Sequence, residues 1–343
     1  TPKGVRYEHG MFDAQVRIVR ERYGISKGEI DLTVLPIFAL FNPALGMTTV
    51  VPELNPGRPA KADPAKLVQA IIERKVTNAF GSPTLWRKVT DHCDANQIRL
   101  PGMKRIMVAG ASAPADLLLR LQRALPKATI HIPYGATVAL PVASATAEQI
   151  LAGPARLTAL GKGICLGRPV TEVEVRILPI EDGPITSMDK VTLLPAGEIG
   201  EITVRGPIVT KAYDNDPAAN RVHKVVEKDA IWHRMGDLGY LAEDGRLWFC
   251  GRKAERVETI EWPLYTEQVE PIFHAHVDVR RSALIGLGNK RYKEPAIVIE
   301  PEPGAFPRTT SSKNRFCDEL LEKAKAFPML QHLRLVFFYL HID

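Results

Sequence analysis

Residues 235–253 read MGDLGYLAEDGRLWFCGRK, with Asp237 between Gly236 and Leu238 and a Gly-Arg pair, Gly251-Arg252, ending fifteen positions after the acid. A carboxylate held by glycine at the end of a strand-like run is placed to accept hydrogen bonds from a diol such as a ribose. The same stretch also reads as a solvated loop ahead of a hairpin. Glu243-Asp244-Gly245 is a turn signal, since Asp-Gly supplies positive φ cheaply, and RLWFCG after it has strand character. A second stretch, AGASAP at 109–114, offers only small side chains between a strand and a helix. A planar ligand or a phosphate could approach the backbone there, near a helix N-terminus, although tight strand-to-helix turns use the same residues. A third, YGATVALPVAS at 134–144, puts Tyr134, Gly135 and Thr137 at another strand end, where ligands of open α/β sheets bind.

Periodicity indicates the elements that must carry these stretches. Strand-like and helix-like segments alternate over the first 140 residues. MFDAQVRIVRERY (11–23) has helical spacing, and IDLTVLPIFALF (30–41) is a buried, strand-like run broken by Pro36. DPAKLVQAIIERK opens a helix with Asp63 as N-cap and Pro64 at the first position. TNAFGSP, RIMVAG (105–110) and TIHIPYG read as strands, TLWRKVTDHC and PADLLLRLQRAL (114–125) as helices. Such alternation implies a parallel sheet covered by helices. From about 160 onward, EVEVRILP, GEITVRG and GRLWFCGR are short strands separated by Gly and Pro turns. After Lys253, a helix (EQVEPIFHAH), two strands (RSALIGL, EPAIVIEPEP) and a helix (NRFCDELLEKAKAF) form a compact α+β unit. The expected division is 1–160 as part of a large α/β domain, 161–252 as its β-rich subdomain, and 253–343 as a separate, truncated α+β domain.

The chain has 343 residues, 45% of them hydrophobic, enough for a substantial core and more than one domain. Its 45 basic and 39 acidic residues are spread without a basic tract, which gives no support to nucleic-acid binding and suits phosphate-bearing substrates. Cys93, Cys165, Cys250 and Cys317 form no CxxC pair, which argues against a zinc site and fits free thiols in a reducing, cytoplasmic setting. No apolar run reaches a membrane-spanning length, and the N-terminus shows no signal peptide. His274 and His276 sit two apart on the expected helix, so their side chains diverge and metal binding is not expected. His131 reads as a structural hydrogen-bonding residue, Trp232 and His233 as packing, and Glu198 and Glu201 as mostly solvated.

In their order, these stretches resemble the superfamily of adenylate-forming enzymes: acyl-CoA synthetases, luciferases and nonribosomal adenylation domains. TPKGV (1–5) resembles the tail of a phosphate loop, AGASAP the adenine-side segment, and YGATV the Tyr-Gly-x-Thr-Glu motif. GEIGEITVRGPIVTKAYDNDP (197–217) resembles the Gly-Glu-x-Gly-Glu block, and MGDLGYLAEDGRLWFCGRK the Gly-Asp ribose motif with its Gly-Arg hinge. LYTEQVEPIFHAHVDVRRSALIGL (264–287) is similar to the start of the mobile C-terminal domain. The resemblance implies helix-covered sheet subdomains, a small β-rich subdomain and a mobile α+β domain, with the N-terminal part missing. It implies that Asp237 accepts from ribose hydroxyls of ATP or the adenylate, and that Arg252 lies near the ribose or phosphate. Gly110, Ala111, Ser112 and Ala113 would border the adenine, with Tyr134, Gly135, Ala136 and Phe249 also in the nucleotide site. Thr137 would contact the α-phosphate, and Thr1 and Lys3 belong to the phosphate loop, Lys3 beside the β- and γ-phosphates. Lys3, Thr137 and Arg252 are the implied catalytic residues. The implied chemistry is attack of a carboxylate on the α-phosphate with loss of pyrophosphate, aided by magnesium.

Departures from the superfamily pattern narrow the resemblance. Val138 replaces the glutamate expected as magnesium ligand, so no metal ligand is assigned. Ala254 replaces the hinge acid or lysine, and Ala39 the aromatic or histidine gate. The sequence opens on Thr1 without a Met and stops at Asp343, before the lysine that assists adenylation, so the chain as written is expected to adenylate poorly. LPIFALFNPALG, YGATVALPVAS and GRKAERVET resemble most the olefin-biosynthesis β-lactone synthetases. That likeness implies a 2-alkyl-3-hydroxy fatty acid as substrate, ring closure by its own 3-hydroxyl without coenzyme A, and other olefin-biosynthesis enzymes as possible partners. The run 37–47, with Phe38, Phe41, Leu45 and Met47, reads either as an alkyl-pocket wall or as ordinary core. Two alternatives stay open: a long-chain fatty acyl-CoA ligase, and a nucleotide- or acyl-binding relative that has lost catalysis, for which Val138 speaks.

Overall fold

The computed structural model describes residues 3–35, 39–55, 58, 61–228, 230–288 and 291–339. Strands β1 (Ile30–Thr33), β2 (Thr48–Val50), β3 (Asn78–Gly81), β4 (Arg105–Val108) and β5 (Thr129–Ala136) run parallel in the order β2-β1-β3-β4-β5. Registered rows explain the two faces. Leu32, Ala79, Ile106 and Ile130 are cross-strand neighbours and share one core with helices α3 (Pro64–Glu73), α4 (Pro83–Ala95) and α5 (Ala115–Ala124). Thr33, Phe80, Met107 and His131 form an adjacent row, offset by one residue and therefore on the opposite face. Helices α1 (His9–Tyr23) and α2 (Asn42–Leu45) lie against Met107, through Val16, Tyr23, Phe41 and Leu45.

Local chemistry starts the helices where expected. Asp63 accepts from the Ala65 N–H with Pro64 at the first turn, and Ser82 accepts from the Leu85 N–H at the head of α4. The run 30–41 is corrected: among its described residues Ile30–Thr33 alone is strand, and Asn42–Leu45 after it is a short helix opened by an Asn-Pro pair. Proline cannot supply a ladder N–H but fits a helix's first turn.

The β-rich segment continues the same sheet. A hairpin carries β5 into antiparallel β6 (Ala139–Thr146), next to which lie β7 (Ile164–Pro169), β12 (Leu247–Arg252), β11 (Ala230–Leu241), β9 (Gly200–Arg205) and β8 (Glu174–Leu178). Strand β10 (Lys224–Glu227) pairs with β11 on the side, preceded by α8 (Pro217–His223), while α6 (Ala147–Leu151) and α7 (Pro154–Ala159) link β6 to β7. Ala14 and Ile18 of α1 enter the second core, among Val142, Leu166, Ile202 and Leu247.

Strands β13 (Val257–Glu258) and β14 (Pro263–Leu264) lead into α9 (Thr266–His274). A separate three-stranded sheet follows, β15 (Val279–Leu287), β16 (Glu294–Pro301) and β17 (Leu335–Phe338), crossed by α10 (Thr310–Lys325). Val269, Phe273, Ile297, Phe316 and Leu320 form its core. His276 falls beyond the end of α9, and His274 and His276 accept backbone N–H groups of Ser282 and Asp278. The four cysteines are free, and no helix among the described residues is long and apolar enough to cross a membrane.

Candidate active site

A bulge presents Asp237. The register of β11 against β9 slips between Arg234 and Leu238, and Gly236 within the slip has φ +71°. A Cβ there would meet nothing within 4 Å, so the backbone angle rather than space calls for glycine. Within the slip, Asp237 pairs directly with Arg252 of β12. Arg252 Nη1 donates to Asp237 Oδ1 at 2.5 Å, and the Tyr134 hydroxyl donates to Oδ2 at 2.5 Å. Asp237 is nearly closed to solvent at 2% exposure, while the Arg252 side chain is 55% exposed. Burial raises the Asp237 carboxyl pKa, opposed by hydrogen bonding from Tyr134 and by the Arg252 charge. Burial and the Asp237 charge push the Tyr134 phenol well above its ordinary value. The Phe249 ring lies 6.3 Å from that of Tyr134. A carboxylate has more acceptor positions than these two donors fill, and one donor is a cation whose side chain faces solvent.

Glu201, expected to be solvated, is fully buried, whereas Glu198 is exposed. It sits on β9, an internal strand with buried residues on both faces, which the short segment GEITVRG does not announce. Arg234, also fully buried, donates to Glu201 Oε2 through Nε at 2.9 Å and Nη2 at 2.6 Å. Lys253 Nζ donates to both Glu201 oxygens at 2.9 Å. The remaining Arg234 donors go to carbonyls of Gly183 at 2.7 Å, Val222 at 2.9 Å, and Glu181. Trp232 and His233 are buried beside it.

The other expected site residues lie at neighbouring strand ends. Gly110, with φ +92°, and Ala111 and Ser112 are exposed after β4, Ala113 packs partly on the first core, and α5 begins without a side-chain cap on Pro114. Burial raises the carboxyl pKa of half-buried Glu267 in the first turn of α9, opposed by hydrogen bonding from Ser112, a link that sequence reasoning missed. At Gly135 a Cβ would fall 2.6 Å from the Ala139 carbonyl, so the hairpin needs glycine for close approach. Ala136 pairs with Ala139, and Thr137 is exposed at the turn, its carbonyl accepting from the Tyr7 hydroxyl at 2.6 Å. Lys3 Nζ is 3.3 Å from His223 Nε2 and 5.1 Å from the centre of the Tyr213 ring. Tyr134, Phe249, Asp237 and Arg252 thus form one contact group, and Lys3 belongs to another. Thr1 lies outside the described residues.

Val138 is 7% exposed and belongs to the apolar cluster of Ala139, Val142, Leu166 and Val209. Its side chain offers no oxygen, and no group of three His, Cys, Asp or Glu that could hold a metal ion occurs among the described residues. The residues present do not fit a protein-held magnesium ion at this turn.

Phe41, Leu45 and Met47 line one cavity, between α1, α2 and the sheet, that also reaches Pro133 and Leu140 beside the Tyr134 hairpin. Phe38 is outside the described residues. Asn42 on its wall donates to Asp31 at 3.0 Å, while Asn78 Oδ1 is buried without a partner among the described residues. His131 is corrected: its ring packs edge-on to Tyr23 at 4.9 Å, its Nδ1 has no partner among the described residues, and burial lowers its pKa to about 4.

Residues 1–214 match the family described as AMP-binding enzyme. The chain is 45% identical over 309 residues to an olefin β-lactone synthetase of Xanthomonas campestris, covering 88% of this chain and 55% of that protein. It is 44% identical over 305 residues to an olefin β-lactone synthetase of Stenotrophomonas maltophilia, covering 87% and 54%. The chain therefore spans about half the length of the curated relatives it matches. Amide bond synthetase McbA from Marinactinospora thermotolerans superposes with a TM-score of 0.78 at 24% identity, over 100% of this chain and 65% of that one, a likeness of fold alone.

Proposed function

We propose that this chain, which belongs to the AMP-binding enzyme family, is part of a β-lactone synthetase that adenylates a 2-alkyl-3-hydroxy fatty acid with ATP. The observation that carries the reading is the Asp237 corner: a buried carboxylate steadied by Tyr134, with spare acceptor capacity and a solvent-facing arginine. Ribose hydroxyls would donate to Asp237 while Arg252 turns toward the ribose or phosphate. Gly110 to Ala113 would flank the adenine, Thr137 would meet the α-phosphate, and Lys3 the β- and γ-phosphates. The identity to two olefin β-lactone synthetases supports the choice within the family.

A carboxylate oxygen of the acid attacks the α-phosphorus and the bond to pyrophosphate breaks. The 3-hydroxyl oxygen then attacks the acyl carbon and loses its proton, and the acyl–phosphate bond breaks to release AMP and the four-membered lactone. A nucleophile tethered in the substrate has a high effective concentration, so no coenzyme A is needed. The Phe41, Leu45 and Met47 cavity would take an alkyl arm, because its wall is largely apolar and it reaches the hairpin bearing Tyr134. Four free thiols favour a cytoplasmic setting, alongside other olefin-biosynthesis enzymes.

The test uses the full-length protein with ATP, magnesium and a 2-alkyl-3-hydroxy fatty acid, with and without coenzyme A, the products read by mass spectrometry and NMR. A β-lactone and AMP formed equally without coenzyme A is the expected result. A thioester that requires coenzyme A would make the protein an acyl-CoA ligase. Absence of both products and of pyrophosphate would leave a binding relative.

A further inference from the structure

Four basic side chains gather around one ring. The ammonium groups of Lys3 and Lys224 lie 5.1 and 5.5 Å from the centre of Tyr213, and the rings of His223 and His233 lie 5.8 and 6.0 Å from it. His223 Nδ1 is 3.2 Å from the Arg234 carbonyl and Nε2 is 3.3 Å from Lys3 Nζ. A carbonyl only accepts and an ammonium only donates, so His223 is neutral, with its proton on Nδ1 and Nε2 accepting from Lys3. Lys224 Nζ donates to Thr210 Oγ1 at 3.1 Å and to the Thr210 carbonyl, with no carboxylate partner among the described residues. Burial lowers its pKa to about 7.

The acids nearby are engaged elsewhere. Asp214 holds Arg6 at 2.8 Å, Glu8 holds Lys211 at 2.9 Å, and Asp216 caps α8 through the Ala219 N–H at 2.9 Å. Glu201 is saturated by Arg234 and Lys253. Two ammonium groups over one ring repel each other, and the half-buried Lys224 is costly without a counter-charge. Among the described residues the cluster therefore lacks one negative partner. It also adjoins the hairpin of the proposed site, since the Thr210 N–H donates to the Val138 carbonyl at 2.9 Å.

We propose that Lys224, together with Lys3 held by His223, grips the polyphosphate of the nucleotide, supplying protein-borne positive charge beside a turn whose residue 138 is an apolar valine. This rests on reading the Asp237 corner as the nucleotide site. An ammonium point charge suits phosphate oxygens, and a partly desolvated one regains its proton when an anion arrives.

Calorimetric titrations of AMP, ATP and inorganic pyrophosphate into the protein test it, with Lys224→Met, Lys224→Gln and His223→Gln as variants. Removing Lys224's charge is expected to weaken ATP and pyrophosphate by about 10-fold or more, as for one hydrogen bond to a charged group, and to leave AMP unchanged. His223→Gln is expected to weaken the same two ligands by a smaller factor. AMP binding serves as the check that each variant is folded. ATP and pyrophosphate binding as tight in both Lys224 variants as in the natural protein would overturn the proposal. Pyrophosphate has no ribose, so its loss in the Lys224 variants supports the cluster by itself. Failure of the natural protein to bind AMP would count instead against the Asp237 reading.

Discussion

Glu201 on β9 and Asp237 on β11 are acids of adjacent strands, 0% and 2% exposed, and their partners differ in kind. Glu201 faces a fully buried arginine and a lysine that is only 12% exposed, and Arg234 spends its remaining donors on carbonyls. Nothing there can leave without stranding a charge. Asp237 faces a neutral phenol and an arginine whose side chain is more than half in solvent. Its partners can exchange for a ligand's hydroxyls at modest cost. Burial of an acid is thus a poor guide to function by itself, and the exposure of its counter-ion separates a fastening from a binding edge.

The contrast can be broken most sharply at Glu201. Glu201→Ala should destabilise the fold by about 3–5 kcal/mol, because it strands Arg234 inside the protein. Denaturant unfolding measures this, and a loss under about 1 kcal/mol would erase the distinction. Asp237→Asn should act the other way round, weakening AMP by about 10- to 100-fold through lost charged hydrogen bonds. Its stability should hardly fall. The raised carboxyl pKa means that the folded state favours the neutral form, so this group's contribution is lost as pH rises through the raised value, and an amide removes that dependence.

Lys224 sharpens the comparison from the opposite sign, as a cation without an acid among the described residues. The unfolded chain keeps its proton up to about 10.5 and the folded chain only to about 7, so the unfolded state binds more protons in that window and stability rises with pH across it. Lys224→Met should flatten that rise, which has a slope of about 1.4 kcal/mol per pH unit, read from unfolding at several pH values. The smallest effect is expected at Gly236→Ala. A positive φ of 71° costs an alanine about 1 kcal/mol, and AMP affinity should drop slightly as Asp237 shifts.

What was legible in the sequence is what local chemistry determines. Asp63-Pro64 and Ser82 start their helices, Asp244-Gly245 turns the β11–β12 hairpin, and the Gly-Asp pair marks the bulge. The burial of Glu201 was hidden because Arg234 and Lys253 stand 33 and 52 residues away, with no spacing rule to join them. The Lys3 and His223 contact spans 220 residues. Val138 read as a missing ligand, and only the packing shows it filling an apolar cluster. The Asp237–Arg252 pair lay in between, since two readable motifs met once β11 and β12 came into register.

The most direct measurement compares AMP with its 2′,3′-dideoxy analogue, titrated into the natural protein and into Asp237→Asn. If Asp237 reads the ribose diol, the natural protein should prefer AMP by about 10-fold or more, and the variant should bind the two alike. Equal affinity of the natural protein for both ligands would contradict the account.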